Sequence, residues 1–289
     1  MRIVIVGNCQ ARPLKEIIEA LGNDVTVIST PIVHLLKDED EQSIDADMIE
    51  ADIIVTQLIA DNYPCKFIQT NKLKQKYPNK IVTILNLFYS GYTPDWMYIR
   101  VPGKNTLKGP MGDYHNSTIV DSWLAGRTIH ETAERLFDKQ YNYDRYNKDV
   151  ILSMNELSSR EENVDVKIVD FIQSNLTSKR LFFTFNHPCL FLLVEYAMRI
   201  LKKIGYPENL DSSNLQMNEP LSQFIPPLNS GVDFDFPVVK EFKGLEIAAI
   251  DGSEITTAGE KFYSPSEIVE LYFSIYAENE DVIRSKYGA

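Results

Sequence analysis

The chain is short of several things, and each shortage excludes something. In 289 residues it holds only 3 cysteines and 4 histidines. Cys9, Cys65 and Cys189 are odd in number and lack framework spacing, which points to a reduced, cytoplasmic setting rather than a disulfide-stapled fold. No CxxC or HxxxH pattern is present, so a metal site made from Cys9, Cys189, His115 and His187 has no spacing to support it and no metal is expected. Positive charge is also scarce. With 29 Lys and Arg against 41 Asp and Glu, the net charge of −12 leaves no basic surface for a phosphate backbone, and nucleic acid is not an expected partner. A few local cations and backbone amides would still suffice for an anionic small molecule. Long apolar runs are missing too. The run Ile3 to Val6 breaks at Gly7 and Asn8, and LFLLVEYAM carries Glu195, so neither a signal core nor a membrane span is expected.

What is present suffices for a packed core, at 44% hydrophobic and 11% aromatic residues. RIVIV reads as a buried strand stopped by glycine. A helix should follow, with Pro13 in its first turn, Leu14, Ile17, Ile18 and Leu21 on one face, and Gly22 as a left-handed stop. VTVIS (Val25 to Ser29), ADIIVTQ (Ala51 to Gln57) and KIVTILN (Lys80 to Asn86) repeat the strand pattern, with helical stretches such as Lys66 to Lys76 between them. Strands alternating with helices predict an α/β fold with a parallel sheet of Rossmann-like order flanked by helices. Ligands of such sheets sit beyond the carboxyl ends of the strands.

Leu87 to Asn116 reads as a long, aromatic, ordered loop contributing to a binding site. Helices are expected around STIVDSWLAG, TIHETAERLF and VDVKIVDFIQ, which together form a largely helical additional region. LFFTF then predicts a further strand, with Asn186 or His187 capping a helix that has Pro188 in its first turn and ends at Gly205 and Pro207. LEIAAIDGSEIT suggests a hairpin, and Ser264, Pro265 and Glu267 a capping box opening a last helix. These readings make residues 1–289 a single α/β domain. Its sheet core covers about 1–115 and 180–205, a helical insertion about 116–178, and a hairpin and helix about 240–285.

Two polar turns carry the chemistry. Cys9 would lie where helix N–H groups lower a thiol pKa, although a packed, inert cysteine fits the same position. Gly7 ends the strand, and Asn8 and Gln10 are amides placed to donate to an oxyanion. His187 is the candidate base, or equally a cap; with Cys9 it would form the minimal pair for nucleophilic acyl transfer. Gln57 and Asn86 end strands and would add amides to the same edge. His115 could be a second base or a substrate contact, and Arg12, Lys104 and Lys108 are candidate phosphate contacts. GNCQ lacks the GxGxxG glycines of a dinucleotide site.

GNCQA, YSGYTPD (Tyr89 to Asp95), GDYHN (Gly112 to Asn116) and TFNHP (Thr184 to Pro188) together resemble, in order, the motifs of the WcbI family of capsular polysaccharide biosynthesis proteins, over about the first two thirds of the chain. The resemblance implies an SGNH-esterase-like fold that binds coenzyme A or acetyl-CoA as substrate and acetylates a sugar or glycan acceptor. It adds Tyr89, Gly91, Asp95, Tyr114, His115 and Asn186 to the candidate substrate-binding residues. By analogy Cys9 takes the place of the esterase serine, Asn86 that of the oxyanion asparagine and His187 that of the base. Thr184 stands where the esterases carry an aspartate three residues before the histidine, so another group must orient the imidazole, either a backbone carbonyl or a distant acid such as Asp95 or Asp113. The alternatives are an esterase or thioesterase using water, and a non-catalytic module that binds coenzyme A, a nucleotide or a glycan.

Overall fold

The computed structural model describes residues 1–102, 106–206, 210–213, 215–237, 239–252 and 254–288. Lys104 and the helix-ending Pro207 lie outside them. In chain order the elements are β1 (Arg2–Val6), α1 (Ala11–Leu21), β2 (Thr26–Ser29), α2 (Glu41–Glu50), β3 (Ile53–Gln57), α3 (Thr70–Lys76), β4 (Ile81–Ile84), β5 (Trp96–Tyr98) and β6 (Tyr114–Asn116). There follow α4 (Ser117–Leu124), α5 (Ile129–Arg135), α6 (Lys139–Tyr146), α7 (Asp149–Glu161), α8 (Val169–Asn175), α9 (Leu190–Lys203), β7 (Phe242–Asp251), β8 (Glu254–Tyr263), α10 (Pro265–Glu278) and α11 (Glu280–Tyr287). They fall into two compact units, the first made of residues 1–88, 156–176 and 188–220, the second of 89–155, 177–187 and 221–289.

The first unit is built on a parallel sheet in the order β2-β1-β3-β4. Ile3 to Val6 are wholly buried, as expected of a strand covered on both faces. Val4, Val6 and Ile54 pack with Met48, Leu73 and Tyr77 on one face, and α1 runs along α9. The open edge of β4 is closed by Asp165, whose carboxylate accepts from the Thr83 amide (2.8 Å) and hydroxyl (2.7 Å); this blunts an otherwise unpaired strand. The chain passes from β1 to β2 on one side and returns to β3 on the other. The topological switch point therefore lies at the carboxyl ends of β1 and β3.

The second unit holds the antiparallel pairs β5-β6 and β7-β8 with the helices α4, α5, α6, α10 and α11. Its core is aromatic: Trp96, Tyr114, Tyr263, Tyr272 and Tyr276 are all buried. The hairpin expected near LEIAAIDGSEIT is β7-β8, and the expected capping box opens α10, with Ser264 Oγ accepting from the Glu267 amide and Pro265 as the first helical residue.

Three local expectations need correction. LFFTF is not a strand. Its backbone turns on itself, the His187 amide donating to Thr184 O (3.2 Å) and the Phe183 amide to His187 O (2.8 Å), and the hydrogen bonds a ladder would need are spent on the turn. Neither Asn186 nor His187 caps α9, and Pro188 precedes that helix; Cys189 occupies the cap, and Glu219 accepts from the first helical amide, Leu190 N, at 2.7 Å. Gly22 ends α1 with φ −109°, so it is not left-handed. Glycine is needed there because a Cβ would come within 2.8 Å of Val25.

Candidate active site

In the first unit the strand ends are joined by side-chain amides. Asn8 N donates to Gln57 Oε1 (2.9 Å), Asn8 Nδ2 to Asn86 Oδ1 (3.0 Å) and Gln10 N to Asn8 Oδ1 (3.0 Å). Gln57 Nε2 donates to both Asn8 Oδ1 and Gln10 Oε1 at 3.2 Å. Gln10, almost fully buried, also donates to Leu87 O (2.7 Å) and accepts from Leu87 N (3.1 Å). Gly7 permits this closeness, since a Cβ there would approach the Gln57 carboxamide to 3.1 Å. Asn8, Gln10, Gln57 and Asn86 are thus brought together as the sequence anticipates. Most of their valence holds the β1, β3 and β4 ends in place. The exception is Asn86 Nδ2, whose two protons have no partner among the described residues.

Cys9 sits inside this turn, half-buried and with a free thiol. Burial pushes its pKa up; the backbone N–H groups of Cys9 and Gln10 act the other way and do not prevail. The lowering expected from the helix start is therefore outweighed by desolvation, and the sulfur is a thiol near neutral pH. Arg12 is exposed on α1. Arg160 had no signal in the sequence, yet its guanidinium donates to Asn86 O (3.0 Å) and Phe88 O (2.8 Å) and fixes the chain beyond β4. A helical arginine facing two distant carbonyls leaves no local pattern to read. His34 and Tyr63, also unremarked in the sequence, line a cavity with Asn8, Gln57 and Asn86.

In the second unit the candidate base has a definite protonation pattern. Tyr114 OH donates its one proton to Asn186 Oδ1 (2.7 Å) and lies 3.2 Å from His187 Nε2. A phenol whose proton is already committed can only accept from the imidazole. With the Asn186 carboxamide in this orientation, Nε2 carries the hydrogen and Nδ1 the lone pair. Nδ1 is buried and has no partner among the described residues. Burial, with Phe224 stacked on the ring and Tyr114 against its edge, pulls the His187 pKa down to about 4, so the ring is neutral at physiological pH. Asn186 is held in turn by donation to Tyr98 OH (3.2 Å) and by the Thr184 hydroxyl donating to its Oδ1 (3.1 Å).

Of the two acids considered as orienters, Asp95 is buried with its pKa raised by desolvation; its Oδ2 accepts from Asn116 Nδ2 (2.5 Å), and its Oδ1 has no partner among the described residues. Asp113 pairs with Lys108 (2.5 Å), which also takes up the charge of that candidate phosphate contact. His115 lies in the core. Its Nε2 faces Leu107 O (3.0 Å) and so must donate, which leaves Nδ1 to accept from Tyr276 OH (3.1 Å). Burial lowers its pKa to about 4 as well. Tyr89 is fully buried, and a Cβ on Gly91 would collide with its hydroxyl, so the start of the YSGYTPD segment is fixed by packing. Among the described residues no group of three or more His, Cys, Asp or Glu could hold a metal ion, and no helix is long and apolar enough to cross a membrane.

A parallel α/β sheet with a polar cluster at the carboxyl ends of its strands, at the switch point, has the place where α/β proteins bind their ligands. The chain belongs to the WcbI family, described as polysaccharide biosynthesis enzyme WcbI, which matches it over residues 2–209. No curated protein matches it. Among solved structures it is similar to WcbI, "a novel polysaccharide biosynthesis enzyme", with a TM-score of 0.72 and 19% identity over 98% of this chain and 97% of that one. That structure is described as native protein without a disulfide bond between coenzyme A and a cysteine.

Proposed function

We propose that the protein is an acyl-CoA-dependent O-acyltransferase, acetyl being the expected group, acting on a sugar or polysaccharide precursor. The observation that carries this reading is His187, whose Nδ1 lone pair is unpaired while Tyr114 and Asn186 fix the ring. A neutral imidazole of fixed tautomer is what general-base catalysis needs. Membership of a polysaccharide biosynthesis family supports the sugar acceptor, and the mention of coenzyme A with the related WcbI supports the donor.

In the proposed reaction an acceptor hydroxyl attacks the thioester carbonyl. The C–O bond forms, the hydroxyl proton passes to His187 Nδ1, the C–S bond breaks, and the proton goes on to the departing coenzyme A thiolate. Asn86 Nδ2, with two uncommitted protons, is a separate candidate for binding a substrate oxygen. Cys9, kept as a thiol by burial, is assigned to contact with the sulfur end of the donor and not to covalent attack.

Two measurements test this. Coenzyme A should raise the melting temperature in a concentration-dependent way, and acetyl-CoA with a glycan acceptor should give acetylated sugar. Acetate as the sole product would convert the reading to an esterase; no stabilisation by coenzyme A would overturn the donor. Intact-mass analysis after incubation with acetyl-CoA should show no adduct on Cys9, and Cys9→Ala should keep measurable activity. An adduct absent from Cys9→Ser would establish the covalent route instead.

A further inference from the structure

At the switch point, within the first unit, lies a cavity of about 240 Å³. Asn8, Gln57 and Asn86 line it with carboxamides, Tyr63 and His34 with a phenol and an imidazole, and Val33, Leu58 and Ile59 with apolar surface. His34 is exposed on a short turn, Val33–Leu35, tied to the end of β1 by donation of the Val33 amide to Gly7 O (2.9 Å). Tyr63 donates its hydroxyl to Val33 O (3.3 Å), which fixes the ring beside that turn.

The lining chemistry selects among ligands. Among the described residues no Lys or Arg lines the cavity, so it is poorly suited to phosphate groups, whose sites are built from cations or helix amides. An acyl chain would leave the Asn86 Nδ2 protons facing hydrocarbon, a costly loss of hydrogen bonds. A saccharide ring meets both kinds of surface: its hydroxyls pair with carboxamides and an imidazole, and its C–H face lies on an aromatic ring.

We propose that this cavity is the acceptor subsite and binds one sugar ring, with Tyr63 under the ring face, Asn86 and His34 on its hydroxyls, and Asn8 and Gln57 holding Asn86 in place. The word acceptor rests on the acyl-transfer reading; the binding of a sugar there does not. Tyr63 and His34 become the residues that determine acceptor specificity.

The test is proton NMR of the whole protein without coenzyme A, titrated separately with galactose, mannose and N-acetylglucosamine. The chain has 4 histidines, and His34→Gln identifies the His34 C2–H line. At least one sugar should shift that line saturably and leave exposed His130 unmoved. Tyr63→Phe should retain the shift, and Tyr63→Ala should weaken binding by about tenfold or more. Should Tyr63→Ala fail to fold, Ala60→Trp, at an exposed position of the same wall, should abolish the shift by filling the space. No movement of His34 with any of the three sugars, or a shift that survives Ala60→Trp, overturns the proposal. A sugar shift without coenzyme A stabilisation would remove the acyl-transfer reading and leave the sugar site; the converse would remove the sugar site alone.

Discussion

At the turn after β1, Asn8, Gln10 and Gln57 exchange hydrogen bonds with one another and with Leu87 until most of their capacity is used. At the turn from Thr184 to His187, one imidazole nitrogen is anchored on Tyr114 and the other is left bare. Desolvation acts on both turns, raising the Cys9 thiol and lowering the His187 imidazole. The consequences differ. Burial makes the thiol a poorer nucleophile near neutral pH, whereas it leaves the imidazole neutral with its lone pair available, though a weaker base. His115 isolates the deciding factor, for it shares the pKa near 4 and differs only in having both nitrogens bonded. A depressed pKa is common to the structural and the candidate catalytic histidine; leftover valence separates them.

The largest test of that contrast is His187→Gln, which should lower the transfer rate by roughly 10²- to 10⁴-fold, the usual contribution of a general base, with a small change in urea midpoint. His115→Leu should do the reverse. It strands Leu107 O and Tyr276 OH in the core and should cost about 2–4 kcal/mol of unfolding free energy, while the folded fraction keeps its rate per molecule. Equal rate losses in both variants would break the comparison.

Acid should act on both histidines. Each has a folded pKa of about 4 against an ordinary 6.5, so between those values the unfolded chain binds more protons. The stability they confer is complete above about pH 6.5 and falls as the pH drops toward 4. For fully buried His115 the loss is roughly 3 kcal/mol, readable as a falling melting temperature over that window. In the same window kcat/KM should stay level down to about pH 5 and decline only as Nδ1 is protonated near 4; a rate that halves near pH 6.5 would contradict a buried neutral base. Tyr114→Phe should have the smallest effect, about tenfold on kcat with KM nearly unchanged. It removes the anchor of Nε2 without removing the base, and loss of KM alone would point to substrate contact instead.

The sheet was legible because buried parallel strands leave compact β-branched runs, as in RIVIV and IIVTQ, and because capping boxes such as Ser264 with Glu267 are local. LFFTF misled for a physical reason. Its apolar side chains pack on aromatic partners, Phe182 with Tyr89 and Phe185 with Tyr98 and Tyr114, and burial alone does not distinguish that from a strand. The amides at the strand ends could be read from position, since a residue ending a parallel strand faces the switch point. The Tyr114–Asn186 anchor of His187, the carbonyl clamp of Arg160 and the walls given by His34 and Tyr63 could not. Each joins residues brought together by the fold and not by spacing.

The central claim is that His187 is neutral and offers Nδ1 as its base. Nitrogen-15 NMR of protein carrying labelled histidine, titrated from pH 8 to pH 4 with His187→Gln as the assignment control, tests it directly. The account requires an unprotonated Nδ1 and a protonated Nε2 that persist until the pH approaches about 4. A hydrogen on Nδ1, or a titration centred near 6.5, would contradict it.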